Sequence, residues 1–219
     1  MPESTAIRVL IVDDHVVVRR GIQSFLHTTE DITVAGEASD GAEALERLAD
    51  FAAHDDLPDV VVLDLVMPRM DGVEAARQMS AQYPGIRIVV LTSFGESERV
   101  HSALANGASG YLLKDADPSE VEAAIRAAAR DEVFLDSVVA RQLTARVSTP
   151  AGGLRALSAR ERDVLALVGQ GLSNRAIAQE LSISERTART HVCNVLSKMH
   201  LSSRTQAALV AVKEGLVQL

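Results

Sequence analysis

The chain has 219 residues, 47% of them hydrophobic, and a formal net charge of −8, so it can bury one large core or two smaller ones. Its single cysteine excludes an intrachain disulfide, and nowhere do 18 apolar residues follow one another, which excludes a membrane-spanning helix. The N-terminal apolar run is too short for a signal peptide, so we expect a cytoplasmic protein.

Strand-like and helix-like segments alternate along the first 130 residues. Apolar, β-branched runs predict five strands, at residues 7–12, 32–37, 60–63, 86–91 and 110–113. Apolar residues at helical spacing predict five helices, at residues 16–27, 41–50, 72–82, 97–106 and 118–130. Strict alternation of this kind predicts an α/β fold, with a doubly wound, five-stranded parallel sheet covered by helices on both faces.

The rest of the chain is predicted to be helical. Residues 136–147 predict a connecting helix, and the proline and glycines within residues 148–156 predict a flexible linker. Four more helices follow, at residues 158–168, 173–181, 184–199 and 203–214.

Charge divides the chain in the same place. Residues 151–219 hold nine Lys and Arg against five Asp and Glu, net +4, which leaves net −12 for residues 1–150. A nucleic-acid partner would therefore meet the basic C-terminal part. We place one domain at residues 1–132, a connecting helix and linker at 133–156, and an all-α, four-helix domain at 157–219.

Polar residues end the predicted strands, where a run of core residues would be expected to continue. They are Asp13, Asp14, Asp64, Thr92 and Lys114. Because the carboxyl ends of parallel strands meet at one edge of the sheet, we expect these side chains in one crevice. Three carboxylates there would repel one another, and a bound divalent cation would offset that repulsion. Because the ligands are hard oxygens, without a His or Cys cluster, we expect the cation to be Mg²⁺. A lysine and a hydroxyl beside that cation suit a phosphoryl group, which Asp64 is best placed to attack.

Four motifs in this domain form a recognisable set: VDD at residues 12–14, LDLVMPRMDG at 63–72, LTS at 91–93 and GYLLK at 110–114. Over residues 6–132 they resemble the receiver domain of bacterial two-component response regulators. The resemblance implies that Asp64 is the phosphoacceptor. It also implies that Asp13, Asp14 and Asp64 hold Mg²⁺ together with the backbone carbonyl of Val66, and that a sensor histidine kinase supplies the phosphoryl group.

The same resemblance implies a switch. Lys114 would pair with the phosphoryl group, and Thr92 would move toward it and draw Tyr111 inward. His15 follows the acid pair, and we expect it to be solvated and not a metal ligand.

Residues 171–199 predict two helices joined by a tight turn near Ser182 and Ile183. Apolar residues on one face of each helix would pack together. The opposite face of the second helix presents Arg186, Thr187, Arg189, Thr190, Cys193, Asn194 and Lys198. A long, moderately basic face of this kind suits the DNA major groove.

The text beginning LSARERDVLALV at residue 157 resembles the LuxR-type helix-turn-helix domain of NarL/FixJ-type response regulators, over residues 157–217. The last helix could belong to the core of this domain or, as the resemblance implies, form part of a dimer contact. The LTSF and DLVMP segments are similar to the cell-envelope stress branch of the family.

These observations predict a DNA-binding transcriptional regulator, not an enzyme, in which phosphorylation promotes dimerisation and binding to two promoter half-sites. We also expect the acidic domain to lie against the basic one before phosphorylation and to hide the groove-facing helix. Two alternatives stay open. One is a receiver-like regulator that works without phosphorylation. The other is an aspartyl-nucleophile phosphatase like the haloacid dehalogenases, which carry a second acid where this chain has Val66.

Overall fold

A parallel sheet forms the centre of the first domain in the computed structural model, which describes residues 6–93, 102–103, 106–144 and 153–217. The strand order is β2-β1-β3-β4-β5-β6. The strands are β1 (Ile7–Val12), β2 (Ile32–Ala38), β3 (Val60–Asp64), β4 (Arg87–Thr92), β5 (Gly110–Leu113) and β6 (Phe134–Leu135). All five predicted strands are present, and every pair in the sheet is parallel.

The expectation of five strands is wrong by one. Strand β6 has only two residues, and it pairs with β5 through Gly110 with Phe134 and Tyr111 with Leu135. Two residues are too few to show the alternation from which a strand is predicted.

Helices cover both faces of this sheet: α1 (Val16–Leu26), α2 (Gly41–Ala53), α3 (Gly72–Gln82) and α4 (Pro118–Ala129). Side chains alternate along β3, so Val62 packs in one apolar cluster with α1 and α4, while Leu63 packs in another with α2 and α3. Every residue of β3 is buried, which explains its continuous apolar sequence. The helix predicted at residues 97–106 lies largely outside the described residues.

The second part of the chain is helical: α5 (Ser137–Thr144), a 3₁₀ turn (Gly153–Ala156), α6 (Ala159–Gly169), α7 (Asn174–Glu180), α8 (Glu185–Lys198) and α9 (Arg204–Lys213). The flexible linker predicted at 148–156 therefore includes a regular turn, and its first five residues lie outside the described part. Each of the last four helices begins after a serine whose hydroxyl accepts a backbone N–H. No helix in the described ranges is long and apolar enough to span a membrane.

The two parts contact each other along what we call the interdomain seam: residues 107–109 and 131–132 of the first domain, with Val133 at the start of the connecting segment, against residues 171–174 and 204–205 of the second. The Thr205 hydroxyl donates to the Ala108 carbonyl at 2.6 Å, and the Val133 N–H donates to the Gly171 carbonyl at 3.0 Å. Beside this seam, helix α5 packs against α9 and buries Val139, Ala140 and Leu143.

Candidate functional site

Three of the predicted site residues meet at the carboxyl edge of the sheet. Asp13 directly follows β1 and Asp64 ends β3, and both are completely buried. Lys114 directly follows β5, and its Nζ lies 2.9 Å from Asp13 Oδ2 and 2.6 Å from Asp64 Oδ2. The sheet thus brings a shared ammonium group between two buried carboxylates, as the strand ends predicted.

The environment changes the acidity of these groups. Burial raises the pKa of Asp64, and Lys114 opposes that rise through a hydrogen bond and its charge. Burial lowers the pKa of Lys114, but hydrogen bonds to Asp64 and Asp13 outweigh it, so the net shift is upward. Lys114 therefore stays charged at neutral pH and supplies positive charge at the crevice.

The first loop, after β1, completes an acidic cluster. Asp14 is 31% exposed, and its Oδ1 lies 2.6 Å from His15 Nδ1. His15 is 64% exposed, as expected of a solvated residue, yet its ring also contacts Asp13 at 3.2 Å. One ligand atom from each of Asp13, Asp14, His15 and Asp64 lies within 4.8 Å of the others.

The cluster fits a hard divalent cation. Within the described part of the chain, Asp13 Oδ2, Asp14 Oδ1 and Asp64 Oδ2 are buried without a hydrogen bond of regular geometry, apart from their close approach to Lys114 or His15. Carboxylate oxygens in this condition are the ligands that Mg²⁺ prefers. Val66, expected to contribute its carbonyl, donates its N–H to Asp64 Oδ1 at 3.2 Å and so lies beside the cluster.

The two predicted switch residues are both buried. Thr92 ends β4 and is 2% exposed, and its carbonyl accepts from the Lys114 N–H at 2.8 Å. Tyr111 on β5 is completely buried, and its hydroxyl has no hydrogen-bond partner among the described residues. Burial raises the pKa of Tyr111 well above its ordinary value. Tyr111 therefore lies on the inner side of β5, and the expected movement of Thr92 toward the phosphoryl group, with Tyr111 following it inward, stays a prediction.

Two arginines that sequence reasoning missed hold the loops of the site. Arg19 donates to the Asp13 carbonyl at 2.6 Å and to Glu37 Oε2 at 3.0 Å. Arg69 forms an ion pair with the buried Asp40, which also caps helix α2. Arg19 on α1 contacts Glu37 on β2, and Arg69 contacts Asp40 at the start of α2. Because each pair joins separate elements of the chain, no helical or strand spacing in the sequence reveals it.

Gly72 fixes the position of the loop that follows the phosphoacceptor candidate. Its N–H donates to the Leu65 carbonyl at 3.1 Å. A Cβ at this position would lie 2.0 Å from the Asp64 carbonyl oxygen and 2.7 Å from the Leu65 Cα. The glycine of the MPRMDG segment is therefore required by a close backbone approach.

The helix-turn-helix is present as predicted. The turn between α7 and α8 contains Ser182 at φ 52°, and Ala188, Val192, Val195 and Met199 are buried. The opposite face of α8 is exposed at Arg186, Thr187, Arg189, Thr190, Cys193 and Asn194. We call α8 the recognition helix.

Lys198 differs from the other predicted DNA contacts. Its Nζ lies 2.8 Å from Oε2 of Glu161, a nearly buried acid in the first turn of α6. Hydrogen bonds from Lys198 and the Ser158 backbone lower the pKa of Glu161 to about 2. Lys198 therefore already serves a structural role within the domain.

The expectation that the acidic domain hides the groove-facing helix is wrong for this structure. The seam involves α9 and the start of α7, while the predicted DNA-contacting residues of α8 remain exposed. Net charge predicted that the domains attract each other, but charge alone does not specify which surfaces meet.

Comparisons with known proteins decide the family. A family model described as the response regulator receiver domain matches residues 9–126, more than half of the chain. The chain is a response regulator. A second family model, described as bacterial regulatory proteins of the luxR family, matches residues 155–211.

Relatives of this response regulator match it over nearly their whole length. The transcriptional regulatory protein LiaR of Bacillus subtilis is 41% identical over 214 residues, covering 96% of this chain and 99% of LiaR. The response regulator protein VraR of Staphylococcus saprophyticus is 40% identical, with 97% and 99% covered. The predicted similarity to one branch of the family is thereby confirmed at the level of sequence, since LiaR and VraR are the relatives that it matches.

Solved response regulators share the fold. ChrA, from a heme-sensing two-component system, is 39% identical with a TM-score of 0.54, covering 97% of this chain and 99% of ChrA. RcsB of Salmonella typhimurium is 26% identical with a TM-score of 0.58, covering 93% and 97%.

This response regulator is accordingly a phosphorylation-controlled, DNA-binding transcriptional regulator and not an enzyme. The phosphatase alternative is set aside by the two family matches. Receiver domains generally bind Mg²⁺ at an acidic pocket, and this chain has a cluster of Asp residues at the carboxyl edge of its sheet.

Proposed function

We propose that Asp64 accepts the phosphoryl group that controls this response regulator. The observation that carries the proposal is the burial of Asp64 at the end of β3, with Lys114 Nζ 2.6 Å away and Asp13 on the other side of the same ammonium group. A single cation held between two carboxylates is poised to move to an arriving phosphoryl oxygen without crossing the site.

The chemistry follows from those positions. An oxygen of the Asp64 carboxylate attacks phosphorus, the bond from phosphorus to the nitrogen of the kinase phosphohistidine breaks, and that imidazole takes up a proton in exchange. Lys114 then pairs with the phosphoryl oxygens, and the Thr92 hydroxyl, on the neighbouring strand β4, donates to another. Mg²⁺ bound by Asp13, Asp14, Asp64 and the Val66 carbonyl would neutralise phosphoryl charge.

The loop contacts support this arrangement. Arg19 fixes the peptide that joins Asp13 to Asp14 by holding its carbonyl, and Arg69 ties the loop that carries Val66 to helix α2. Side chains held in this way keep the acids in position before any cation or phosphoryl group arrives.

The recognition helix is proposed to enter the DNA major groove. Its exposed face supports base contacts by Arg186 and Arg189, and positioning contacts by Thr187, Thr190, Cys193 and Asn194. Lys198 would add less to phosphate binding than an unpaired lysine, because Glu161 already neutralises it. We further propose that phosphorylated copies dimerise and occupy two half-sites, which raises the effective concentration of the second effector domain.

The proposed boundaries are those expected from the sequence, with β6 at the start of the connecting segment completing the receiver sheet. The receiver comprises residues 1–132, the connecting helix and linker 133–156, and the DNA-binding domain 157–219. A sensor histidine kinase is the proposed donor of the phosphoryl group.

Labelling of the full chain tests the phosphoacceptor. Acetyl phosphate with Mg²⁺ should add one phosphoryl group, measured by intact mass, and Asp64→Asn should abolish the addition. Asp50→Asn changes an exposed acid of α2 in the same way and should label like the wild type. Full labelling of Asp64→Asn would refute the assignment.

A further inference from the structure

His15 places a nitrogen atom beside the acidic cluster. It is the residue before α1, and its backbone N–H donates to Asp13 Oδ1 at 2.7 Å. Its ring nitrogen Nδ1 lies 2.6 Å from Asp14 Oδ1 and 3.2 Å from Asp13 Oδ1. The imidazole therefore faces carboxylates that we propose as cation ligands, although we expected from the sequence that it would not be a ligand itself.

Four side chains are close enough to share one ion. One ligand atom from each of Asp13, Asp14, His15 and Asp64 lies within 4.8 Å of the other three. An ion midway between the two most distant atoms would lie at most about 2.4 Å from each, while bonds from Zn²⁺ to His nitrogen and carboxylate oxygen measure about 2.0–2.2 Å. Small side-chain movements would therefore complete the coordination.

The buried acids of the cluster lack donors. Asp13 and Asp64 are completely buried, and within the described part of the chain each has an oxygen whose close partner is Lys114 alone. One ammonium group thus serves two buried carboxylates, which leaves negative charge for a divalent cation to neutralise.

The ring can become a ligand without changing its charge. Because carboxylates only accept, a neutral ring that faces Asp14 carries its proton on Nδ1. Moving that proton to Nε2 frees the Nδ1 lone pair toward the cluster. The side chain of His15 is 64% exposed, so water can accept from Nε2 in that tautomer.

We propose that His15 is a metal ligand and that the cluster is a mixed nitrogen–oxygen site for a cation of intermediate softness, such as Zn²⁺ or Cu²⁺, which competes with Mg²⁺. Imidazole suits these ions, whereas Mg²⁺ prefers oxygen ligands. The ligand role of His15 rests on the proposed cation site, and not on Asp64 as the phosphoacceptor.

An ion held in this way would inhibit phosphorylation, a consequence that does rest on the proposed role of Asp64. Zn²⁺ is satisfied by four ligands, the number that the cluster supplies. Mg²⁺ takes six and usually keeps several waters, which phosphate oxygens can replace. Four protein ligands leave no position for a phosphoryl oxygen, and one of them is the Asp64 carboxylate that would attack phosphorus.

His15→Asn tests the ligand directly. Asn keeps an N–H donor and is a favoured residue before a helix, but it has no nitrogen lone pair. Calorimetry uses the full chain at about pH 7.5, because a ligating imidazole must be neutral. Affinity for Zn²⁺ should fall at least about tenfold and affinity for Mg²⁺ should change less than about twofold. Carboxylates alone also bind zinc, so the change on substitution is the decisive quantity.

His54→Asn is the matched control. His54 is exposed and precedes Asp55 and Asp56, but among the described residues it belongs to no cluster of potential metal ligands. Its substitution should leave both affinities unchanged. Cys193 is the same in wild type and both variants, so any zinc bound by that thiol adds equally to each titration.

Pulsed electron paramagnetic resonance with one equivalent of Cu²⁺ provides a second readout. A ligating imidazole gives modulation from its remote nitrogen, which should be present in wild type and His54→Asn and absent from His15→Asn. Equal losses of Zn²⁺ and Mg²⁺ affinity in His15→Asn, or modulation that persists in it, would overturn the ligand role. A wild type that binds no divalent cation would overturn the proposed cation site as well.

Labelling by acetyl phosphate tests the inhibition. With Mg²⁺ present, the Zn²⁺ concentration that halves the initial rate should be at least about tenfold higher for His15→Asn than for wild type and His54→Asn. Equal inhibition of all three proteins would overturn the inhibitory role. If the chain labels at a residue other than Asp64, calorimetry and resonance still decide whether His15 binds the cation.

Discussion

Replacing Gly72 by alanine should damage the phosphorylation site, although glycine-to-alanine changes within helices usually stabilise. The new Cβ would lie 2.0 Å from the Asp64 carbonyl oxygen, whereas real Cβ contacts hardly ever fall below 3.0 Å. The backbone at Asp64 must therefore move by at least about 1 Å, the difference between those distances. Overpacking of this kind costs about 1–3 kcal/mol. A displacement of about 1 Å at reacting groups slows a reaction by about a hundredfold.

Gly21→Ala supplies the control, because Gly21 lies within α1 and a Cβ there would meet nothing within 4 Å. It should stabilise the chain by roughly 0.5–1 kcal/mol. Thermal unfolding should then show Gly72→Ala melting a few degrees lower than wild type and Gly21→Ala slightly higher, at about 2–4 °C per kcal/mol. Initial rates of labelling by acetyl phosphate should fall about a hundredfold for Gly72→Ala alone.

The reasoning is refuted if Gly72→Ala melts and labels like Gly21→Ala. That result would mean that the loop after β3 adjusts freely, and that the close backbone approach does not define the phosphoacceptor geometry.

Three further outcomes are expected. Lys198→Met should lower the free energy of unfolding in urea at pH 7. The gap between wild type and variant should shrink as the pH falls from 4.5 to about 2, because the ordinary pKa of Glu161 is 4.5 and its folded pKa is about 2. A gap that does not change with pH would contradict the ion pair. Lys114→Met removes the ammonium group that competes with Mg²⁺ for Asp13 and Asp64, so calorimetry should show tighter Mg²⁺ binding. Weaker binding would mean that Lys114 helps to hold the cation. Arg189→Ala should weaken the free energy of binding by about 1–3 kcal/mol on the DNA sequence that the intact chain selects from a random pool, and only slightly on random duplexes. Equal losses of binding on both would make Arg189 a phosphate contact.

The sequence was sufficient to predict the sheet and the acidic site because both depend on local patterns. Strand β3 is buried on both faces, so its sequence is a continuous apolar run, and Asp64 interrupts that run at its end. Serines before the last four helices mark their starts in the same local way. Periodicity and helix-end signals of this kind can be recognised in the sequence without knowledge of the tertiary contacts.

What could not be predicted depends on residues far apart in the chain. Thr205 and Ala108 are separated by 97 positions, and nothing near either one signals their hydrogen bond. Net charge predicted that the acidic domain covers the basic face of α8, but Asp131 and Asn174 form part of the contact while that face stays exposed. The net charge of a domain does not specify which of its surfaces makes a contact.

Strand β6 also protects an edge. Its two residues occupy the outer side of β5, where backbone groups would otherwise be free to pair with another chain. A receiver fragment cut after residue 132 loses β6 and exposes the outer edge of β5, which favours edge-to-edge aggregation. Extending the fragment to residue 136 retains β6 and leaves out helix α5, whose buried residues would otherwise lose their contact with α9, and is therefore the better choice for keeping an isolated receiver monodisperse at high concentration.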